Sequence, residues 1–375
     1  MKILMGTAYP FMSQNVWGGV EAVSKNLKIG FDNYEPKIDF RVVSGSNNAK
    51  KTYETHDGVT YVKKPRLKLG SVFISQYPFR IKKFLKENNF DVLNAHEIDF
   101  AYYGLMMKDK LLLTLHGFNW EEEKYLPKYK KPVWHFFYVK RLYNILKELK
   151  YFVSINPYGK ELFGKKTNAT IFDIGNPVTD DFFNIKNGQK ENRMLYVGNI
   201  SRMKNILTLI KALNLVKNEI KDFELIVAGK IEDKYYFERM TTYIDKHGLK
   251  NNIKYVGLIA GKQKLEEFSK MSFLILPSLN EHAPMVISEA FAAGRPTIAS
   301  NVGGIPYMVD DGKNGFLIDP KNERVIDDKI IYLMENPDAA KSMGINSRKY
   351  ARKYHSLRTV VSRYKTVYEE VTAKC

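Results

Sequence analysis

Short apolar runs alternate with longer amphipathic stretches along the whole chain, and this alternation leaves few folds open. In the first half, Lys2 to Met5, Phe40 to Val43, Val59 to Val62, Val92 to Asn94, Leu111 to Leu115, Tyr151 to Ile155 and Ala169 to Asp173 read as strands. In the second half, Arg193 to Val197, Phe223 to Ala228, the segment IKYVGLIA, Phe273 to Leu276 and Thr297 to Ala299 repeat the pattern. Helical periodicity lies between them, beginning near Val20 and covering Phe79 to Glu87, Ile206 to Val216 and Tyr235 to Lys246. Strands that alternate with helices predict parallel sheets covered by helices. The segment IGNPVTDDFF ends a strand in Gly and Pro, breaks helix continuation and precedes a new strand series, so it reads as a linker. With 375 residues there is material for two cores. The expected fold is α/β, with two doubly wound Rossmann-like domains at residues 1–176 and 177–356.

Composition narrows the function classes. An apolar content of 44% beside 27% charged residues is that of a globular chain. No run of about 18 apolar residues occurs, so no membrane-spanning helix is expected. MKILMGTAYP lacks the long apolar core and the small-residue cleavage site of a signal peptide. The single cysteine, Cys375, permits no intrachain disulfide, which fits a reducing compartment and a cytoplasmic location. The net charge of +18 is spread over both halves. Local clusters stand at Lys63, Lys64, Arg66 and Lys68, then at Lys128, Lys130 and Lys131, then at Lys140 and Arg141. The last two lie beside Trp134, Phe136, Phe137, Tyr138 and Tyr143, a basic and aromatic pattern suited to an anionic membrane surface. Nucleic acid is the competing partner class, and a lysine-rich solvated surface over an aromatic core is the plain alternative.

The stretch from Phe273 to Ser300 carries the most chemistry. A strand runs into a turn at Pro277 to Ala283 and then a helix, with Glu281 in the turn and Glu289 about two turns along the helix. Open α/β sheets bind ligands at the carboxyl ends of their strands, and helix N-termini attract anionic oxygens. Phosphate on the helix amides with hydroxyls on the two carboxylates suits a sugar nucleotide. The same pattern also occurs on ordinary surfaces, so its neighbours matter. Gly18 and Gly19 stand at a helix start after the first strand, where backbone can approach a ligand closely. His96 and His116 each follow a strand end. GNISRMKN places Gly198, Arg202 and Lys204 between a strand and a helix, a layout suited to a diphosphate. No Asp-x-Asp and no His/Cys cluster with ligand spacing occurs, so no metal site is expected.

The spacing E-x7-E followed by A-x-A-x-G-x-P, carried here by Glu281, Glu289, Ala290, Ala293, Gly294 and Pro296, resembles the signature of retaining glycosyltransferases of family four, which have the GT-B fold. The resemblance extends over nearly the full length. It includes Trp17-Gly18-Gly19-Val20-Glu21, His116, the linker positions Asn176, Val178 and Phe182 or Phe183, Lys204, and GGIPYMVDDGKNGFLIDP. It implies two domains facing a cleft, the first on the acceptor side and the second holding the donor. The last helix, from Leu357, is expected to cross back so that 357–375 packs on the first domain. Three departures stand out: Asn199 where the family has Arg, His282-Ala283 where it has Phe-Gly, and Tyr307 where it has Glu.

What the resemblance implies is a metal-independent hexosyltransferase. It would use a UDP- or GDP-linked sugar as co-substrate, need no resident cofactor, and act on a hydroxyl of a sugar, glycolipid or polysaccharide acceptor. Lys204, with Arg202, the Gly19 amide and the amides near Ala283 to Val286, the stretch that holds Pro284 and Met285, would stabilise the diphosphate. Glu289 would accept the ribose hydroxyls and Glu281 those of the donor sugar. His116 would contact that sugar. Gly18 would lie near the phosphates, Asn199 and His282 would line the donor site, and backbone at Gly257, Leu258 and Ile259 would border the base. Glu281, His116 and Lys204 are thus the candidate catalytic groups. The reaction would be a front-face substitution assisted by the leaving phosphate. A peripheral position at the cytoplasmic face of the membrane is expected, and nucleic acid is not. Alternatives are a nucleotide-sugar hydrolase or epimerase, a glycoside hydrolase using the two carboxylates as acid and base, and an inactive GT-B scaffold, to which Asn199 and Tyr307 point.

Overall fold

The computed structural model describes residues 1–13, 16, 18–64, 67–69, 72–74, 77–117, 139–186 and 188–374. Trp17, Arg66, Lys128, Lys130, Lys131, Trp134, Phe136, Phe137, Tyr138 and Cys375 lie outside the described residues, as does the side chain of Lys68. The chain divides into two compact units, 1–177 with 357–375, and 178–356.

The first unit is built on an eight-stranded sheet. Its strands are β1 (Lys2–Gly6), β2 (Asp39–Ser46), β3 (Tyr53–His56), β4 (Val59–Lys63), β7 (Val92–Ala95), β8 (Leu111–Leu115), β9 (Tyr151–Ser154) and β10 (Thr170–Asp173), and a separate hairpin pairs β5 (Leu67–Leu69) with β6 (Val72–Ile74). The order across the sheet is β10-β9-β8-β7-β1-β2-β4-β3, parallel throughout except for the β3/β4 pair. The central strands β7 and β8 are buried at every residue, as expected of strands covered on both faces. From β1 the chain winds first toward β2 and later, from β7 on, in the opposite direction. The winding therefore reverses between β1 and β7, and the loops that follow these two strands diverge there.

The last helix, Leu357–Ala373, belongs to this unit and packs on helix Gly19–Tyr34 and strand β7. Its buried residues Leu357, Val360, Val361, Tyr364, Val367, Tyr368 and Val371 recur every three or four positions, which places them on one helical face. Each such side chain, fully buried, is worth about 1.5–3 kcal/mol over exposure. A buried polar ladder adds register to this attraction. Thr114 Oγ1 donates to Asn94 Oδ1 at 2.8 Å, and Asn94 Nδ2 donates to the Tyr368 hydroxyl at 2.8 Å.

The second unit holds a six-stranded, all-parallel sheet of β11 (Arg193–Val197), β12 (Glu224–Ala228), β13 (Ile253–Gly257), β14 (Phe273–Leu276), β15 (Thr297–Ser300) and β16 (Gly315–Ile318), ordered β13-β12-β11-β14-β15-β16. The winding reverses between β11 and β14. The loops leaving these two neighbours therefore carry the chain in opposite directions, and a crevice opens at their carboxyl ends. The helices Ile206–Glu219 and Met285–Ala292 follow those loops. All residues of the latter but the first are buried, so this helix is fixed by the core rather than by its own propensity.

Candidate functional site

At the reversal in the second sheet, the loops after β11 and β14 are stitched together by three contacts. The Leu279 amide donates to the Met203 carbonyl at 2.8 Å. Asn205 Nδ2 donates to the Pro277 carbonyl at 3.1 Å and also, at 2.7 Å, to that of Pro320, which follows β16 rather than β14. Lys204 Nζ reaches Glu281 Oε1 at 2.5 Å, and that oxygen also accepts from Ser278 Oγ at 2.8 Å. Asn205 adopts φ 54°, ψ 28°, a left-handed conformation that Asn tolerates better than most residues. This turn ends the short 3-10 segment Arg202–Lys204 and starts helix Ile206–Glu219, which fixes the direction of Lys204. Sequence reasoning passed over Asn205. The signal was an Asn between a basic loop and an apolar helix start, a position that favours caps and tight turns.

The lysine and glutamate are largely but not wholly buried, with 20% and 11% of their side chains exposed. A paired charge at this depth keeps its attraction because little water intervenes. The turn that carries Glu281 is held from below, where the Gly304 amide donates to the Glu281 carbonyl at 2.9 Å. His282 is buried beside it. Helix Met285–Ala292 then begins after Pro284 without a side-chain cap; the Ile287 amide donates to the Pro284 carbonyl at 3.1 Å, and the Met285 and Val286 N–H groups are left for other acceptors. Ala283, Pro284, Met285 and Val286 thus form one helix entrance next to the Lys204–Glu281 pair.

Glu289 lies further along the same helix and is buried, 4% exposed. Its Oε1 accepts from Lys264 Nζ at 2.6 Å. Its Oε2 is buried with no hydrogen-bond partner among the described residues. Lys264, on helix Gly261–Lys270, was not picked out from sequence, because a lysine in a KQKLEEFSK stretch reads as solvated surface. Gly257, Leu258 and Ile259 leave β13, two strands from β11 in the sheet, and lead into that same helix.

The remaining loop cations and amides are arranged differently. Arg202 Nε pairs with Asp233 Oδ2 at 3.1 Å and is 61% exposed, while Asn199 Nδ2 donates to Glu232 Oε1 at 2.6 Å. Lys204 is thus the basic side chain of this loop that turns to Glu281, and Arg202 is held by the residue that caps helix Lys234–Lys246. Tyr307 lies in the 3-10 segment Ile305–Tyr307, and its carbonyl accepts from the Tyr350 hydroxyl at 2.9 Å.

In the first unit, Gly18 and Gly19 begin helix Gly19–Tyr34. Among the described residues, a Cβ added at either would meet no atom within 4 Å, and Gly18 has φ −145°, ordinary extended backbone. His96 follows β7 and His116 follows β8, and the two imidazoles meet, His116 Nε2 to His96 Nδ1, at 2.7 Å. Sequence reasoning favoured one of these residues over the other, whereas the fold joins them. Burial, reinforced by the neighbouring His116, pushes the His96 imidazole well below its ordinary pKa, so this member of the pair is neutral.

Comparison with known proteins gives this arrangement its family. Residues 178–350, nearly the whole second unit, match the model for glycosyl transferases group 1. The chain is 27% identical over 99% of its length, and 99% of the relative's, to an uncharacterized glycosyltransferase, MJ1178, of Methanocaldococcus jannaschii. Two solved structures share the fold over the full chain. One is a sucrose-phosphate synthase from Thermosynechococcus elongatus, at TM-score 0.78 and 17% identity, with all of both chains covered. The other is HepE of Anabaena in complex with UDP and glucose, at TM-score 0.74 and 16% identity, covering 98% of this chain and 99% of that one. The protein is a group 1 glycosyltransferase with the GT-B fold. Among the described residues, no helix is long and apolar enough to cross a membrane.

Proposed function

We propose that this protein transfers a hexose from a UDP- or GDP-linked donor to an acceptor hydroxyl with retention of configuration. The observation that carries the reading is the meeting of Lys204 and Glu281 where the second sheet reverses its winding, beside the uncapped entrance of helix Met285–Ala292. The leaving diphosphate is the charge to be stabilised as the C1–O bond breaks. One lysine and a set of helix amides supply positive potential that is already in place, the arrangement that lowers such barriers most. Glu281 then receives hydroxyls of the donor sugar, and Glu289 the ribose hydroxyls. The bonding electrons of the breaking C1–O bond pass to the phosphate oxygen. The acceptor oxygen bonds to C1 on the same face, and its proton goes to the phosphate. The reading assigns no cofactor and no metal to this step.

The first unit serves as the acceptor side in this reading, with Gly18 and Gly19 approaching the phosphates and His116 the donor sugar. The acceptor is a cell-envelope glycolipid, polysaccharide or other glycan. Lys63 and Lys64, the described part of the first basic cluster, would hold the protein peripherally to an anionic cytoplasmic membrane face. Loss of liposome binding on changing both to Ser tests that surface, and unchanged binding removes it.

A thermal-shift panel of UDP, GDP, ADP and their sugars, with Lys204→Ala and Glu289→Ala beside wild type, tests the donor site. A ligand that binds only the native state raises Tm by mass action. The expected result is a shift with one base that both variants lose. Absence of any shift at saturating nucleotide sinks the transferase reading in favour of an inactive scaffold, which Asn199 at the usual Arg position would suit.

A further inference from the structure

Resting on the donor-site reading above, we infer that Lys264 is a ribose-recognition residue, which holds the Glu289 carboxylate in place for the two ribose hydroxyls. Three observations lead there. First, Lys264 stands in the opening turn of helix Gly261–Lys270, which has no acidic residue in that turn and no side-chain cap. A cation at a helix N-terminus opposes the macrodipole, so local preference does not explain it. Second, its stem lies near the rings of Phe182 and Phe268, with Nζ 5.7 and 5.8 Å from their centres, and its ammonium is directed at Glu289 Oε1, 2.6 Å away. Phe268 is one turn along the same helix and Phe182 comes from the separate segment Asp180–Phe183, which makes this a fixed pair rather than a surface contact. Third, the two members differ in exposure. The glutamate side chain is 5% exposed and the lysine 23%, so the ammonium is the more open member of the pair.

The chemistry of the pair is unbalanced on its own. An ammonium has three donors, and Glu289 is its one hydrogen-bond partner among the described residues. The carboxylate keeps a second oxygen, Oε2, without a partner among those residues. An adjacent diol complements both halves. One hydroxyl donates to the carboxylate while a hydroxyl oxygen accepts from the ammonium. Lys264 also sits seven residues after Gly257, so the loop proposed to border the base leads directly into the helix that carries it. A ribose-side role therefore joins two stretches that sequence motifs treat separately.

Calorimetric titration with UDP and GDP, each beside its 2′,3′-dideoxy analogue, tests this on wild type, Lys264→Met and Lys264→Arg. Wild type should bind one of the two nucleotides and disfavour its dideoxy form about tenfold, the value of one charge-assisted hydrogen bond. Lys264→Met should bind the natural nucleotide about tenfold more weakly and no longer distinguish the two sugars. Lys264→Arg should recover most of the discrimination. If Lys264→Met weakens both forms equally, the lysine acts elsewhere than at the ribose and the inference fails. It fails too if binding is unchanged, or tighter because the lysine only competes with the sugar. If wild type binds neither nucleotide, the donor-site reading itself fails, an outcome distinct from all of these. Melting curves of the free variants separate misfolding from lost recognition.

Discussion

The carboxyl ends of the two sheets offer opposite electrostatic characters. In the second unit, each carboxylate that matters is already met by a lysine, Glu281 by Lys204 and Glu289 by Lys264. In the first unit, the corresponding strand ends present two glycines with no packing neighbour among the described residues and a pair of imidazoles, His96 buried and neutral. Paired charges at this depth are costly to desolvate and costlier still to separate. A fold that keeps four of them at one sheet end has a use for charge there. A neutral imidazole and bare backbone suit hydroxyl groups. The contrast teaches that polar residues alone do not mark a site; the charge state that the surroundings impose on them does.

The largest expected effect falls on the charged side. Lys204→Ala should lower kcat/KM for the nucleotide sugar by roughly 100- to 1,000-fold, the scale of losing one preorganised charge-stabilising donor. Steady-state kinetics against Arg202→Ala tests the asymmetry, because Arg202 is held on Asp233. Equal losses in the two variants would erase the distinction drawn between these cations.

Next in size is a backbone effect under the same pair. Gly303 has φ 54°, and a Cβ there would lie 2.1 Å from the Glu281 carbonyl oxygen. Gly303→Ala should cost about 2 kcal/mol or more, since it adds strain at a left-handed residue to a clash with the turn that carries Glu281. Urea unfolding measures this, and a change below about 0.5 kcal/mol would show that the turn is not held as described.

The neutral side predicts a pH signature. The folded-state pKa of His96 is depressed, so the unfolded chain binds its proton first as pH falls. Stability from this group is whole above the unfolded value of about 6.5 and declines below it, by at most about 1.4 kcal/mol per pH unit. Unfolding free energies between pH 5 and 8, for wild type and His96→Gln, should show a steeper acid-side slope in wild type. Parallel slopes would place His96 among ordinary solvated histidines.

A smaller change concerns the attachment of the last helix. Tyr368→Phe removes the acceptor for Asn94 Nδ2 in a dry setting and should cost about 1–3 kcal/mol, with nucleotide binding unchanged. The smallest effect is Arg202→Ala on stability, within about 0.5 kcal/mol, because an exposed ion pair contributes little.

Much of this was legible from residues alone. Strand and helix alternation gave most of both sheets, because the burial that makes a central parallel strand largely apolar is written directly into runs such as LLLTL and FLIL, whereas the edge strands β3 (Tyr53–His56) and β16 (Gly315–Ile318) escaped it. The seam near Asn176 was visible through Gly and Pro, which interrupt both kinds of element. Glu281, Glu289 and Lys204 stood out because the strand-turn-helix segments that hold them resemble the family's motifs.

Partnership was not legible. Lys204 and Glu281 are 77 positions apart and Lys264 and Glu289 are 25 apart. Asn94 and Tyr368 are separated by 274. Sheet order brings the first pair together and the packing of helices on the sheets the other two; order depends on where winding reverses, a property of the whole unit rather than of any segment. Tertiary structure likewise sent Arg202 to Asp233, joined His96 to His116, and gave Asn205 its left-handed turn. Sequence determined which side chains could carry charge and which elements would hold them. Only the packed sheets decided which charges face each other, because Coulomb energy and burial depend on distance through space and not along the chain.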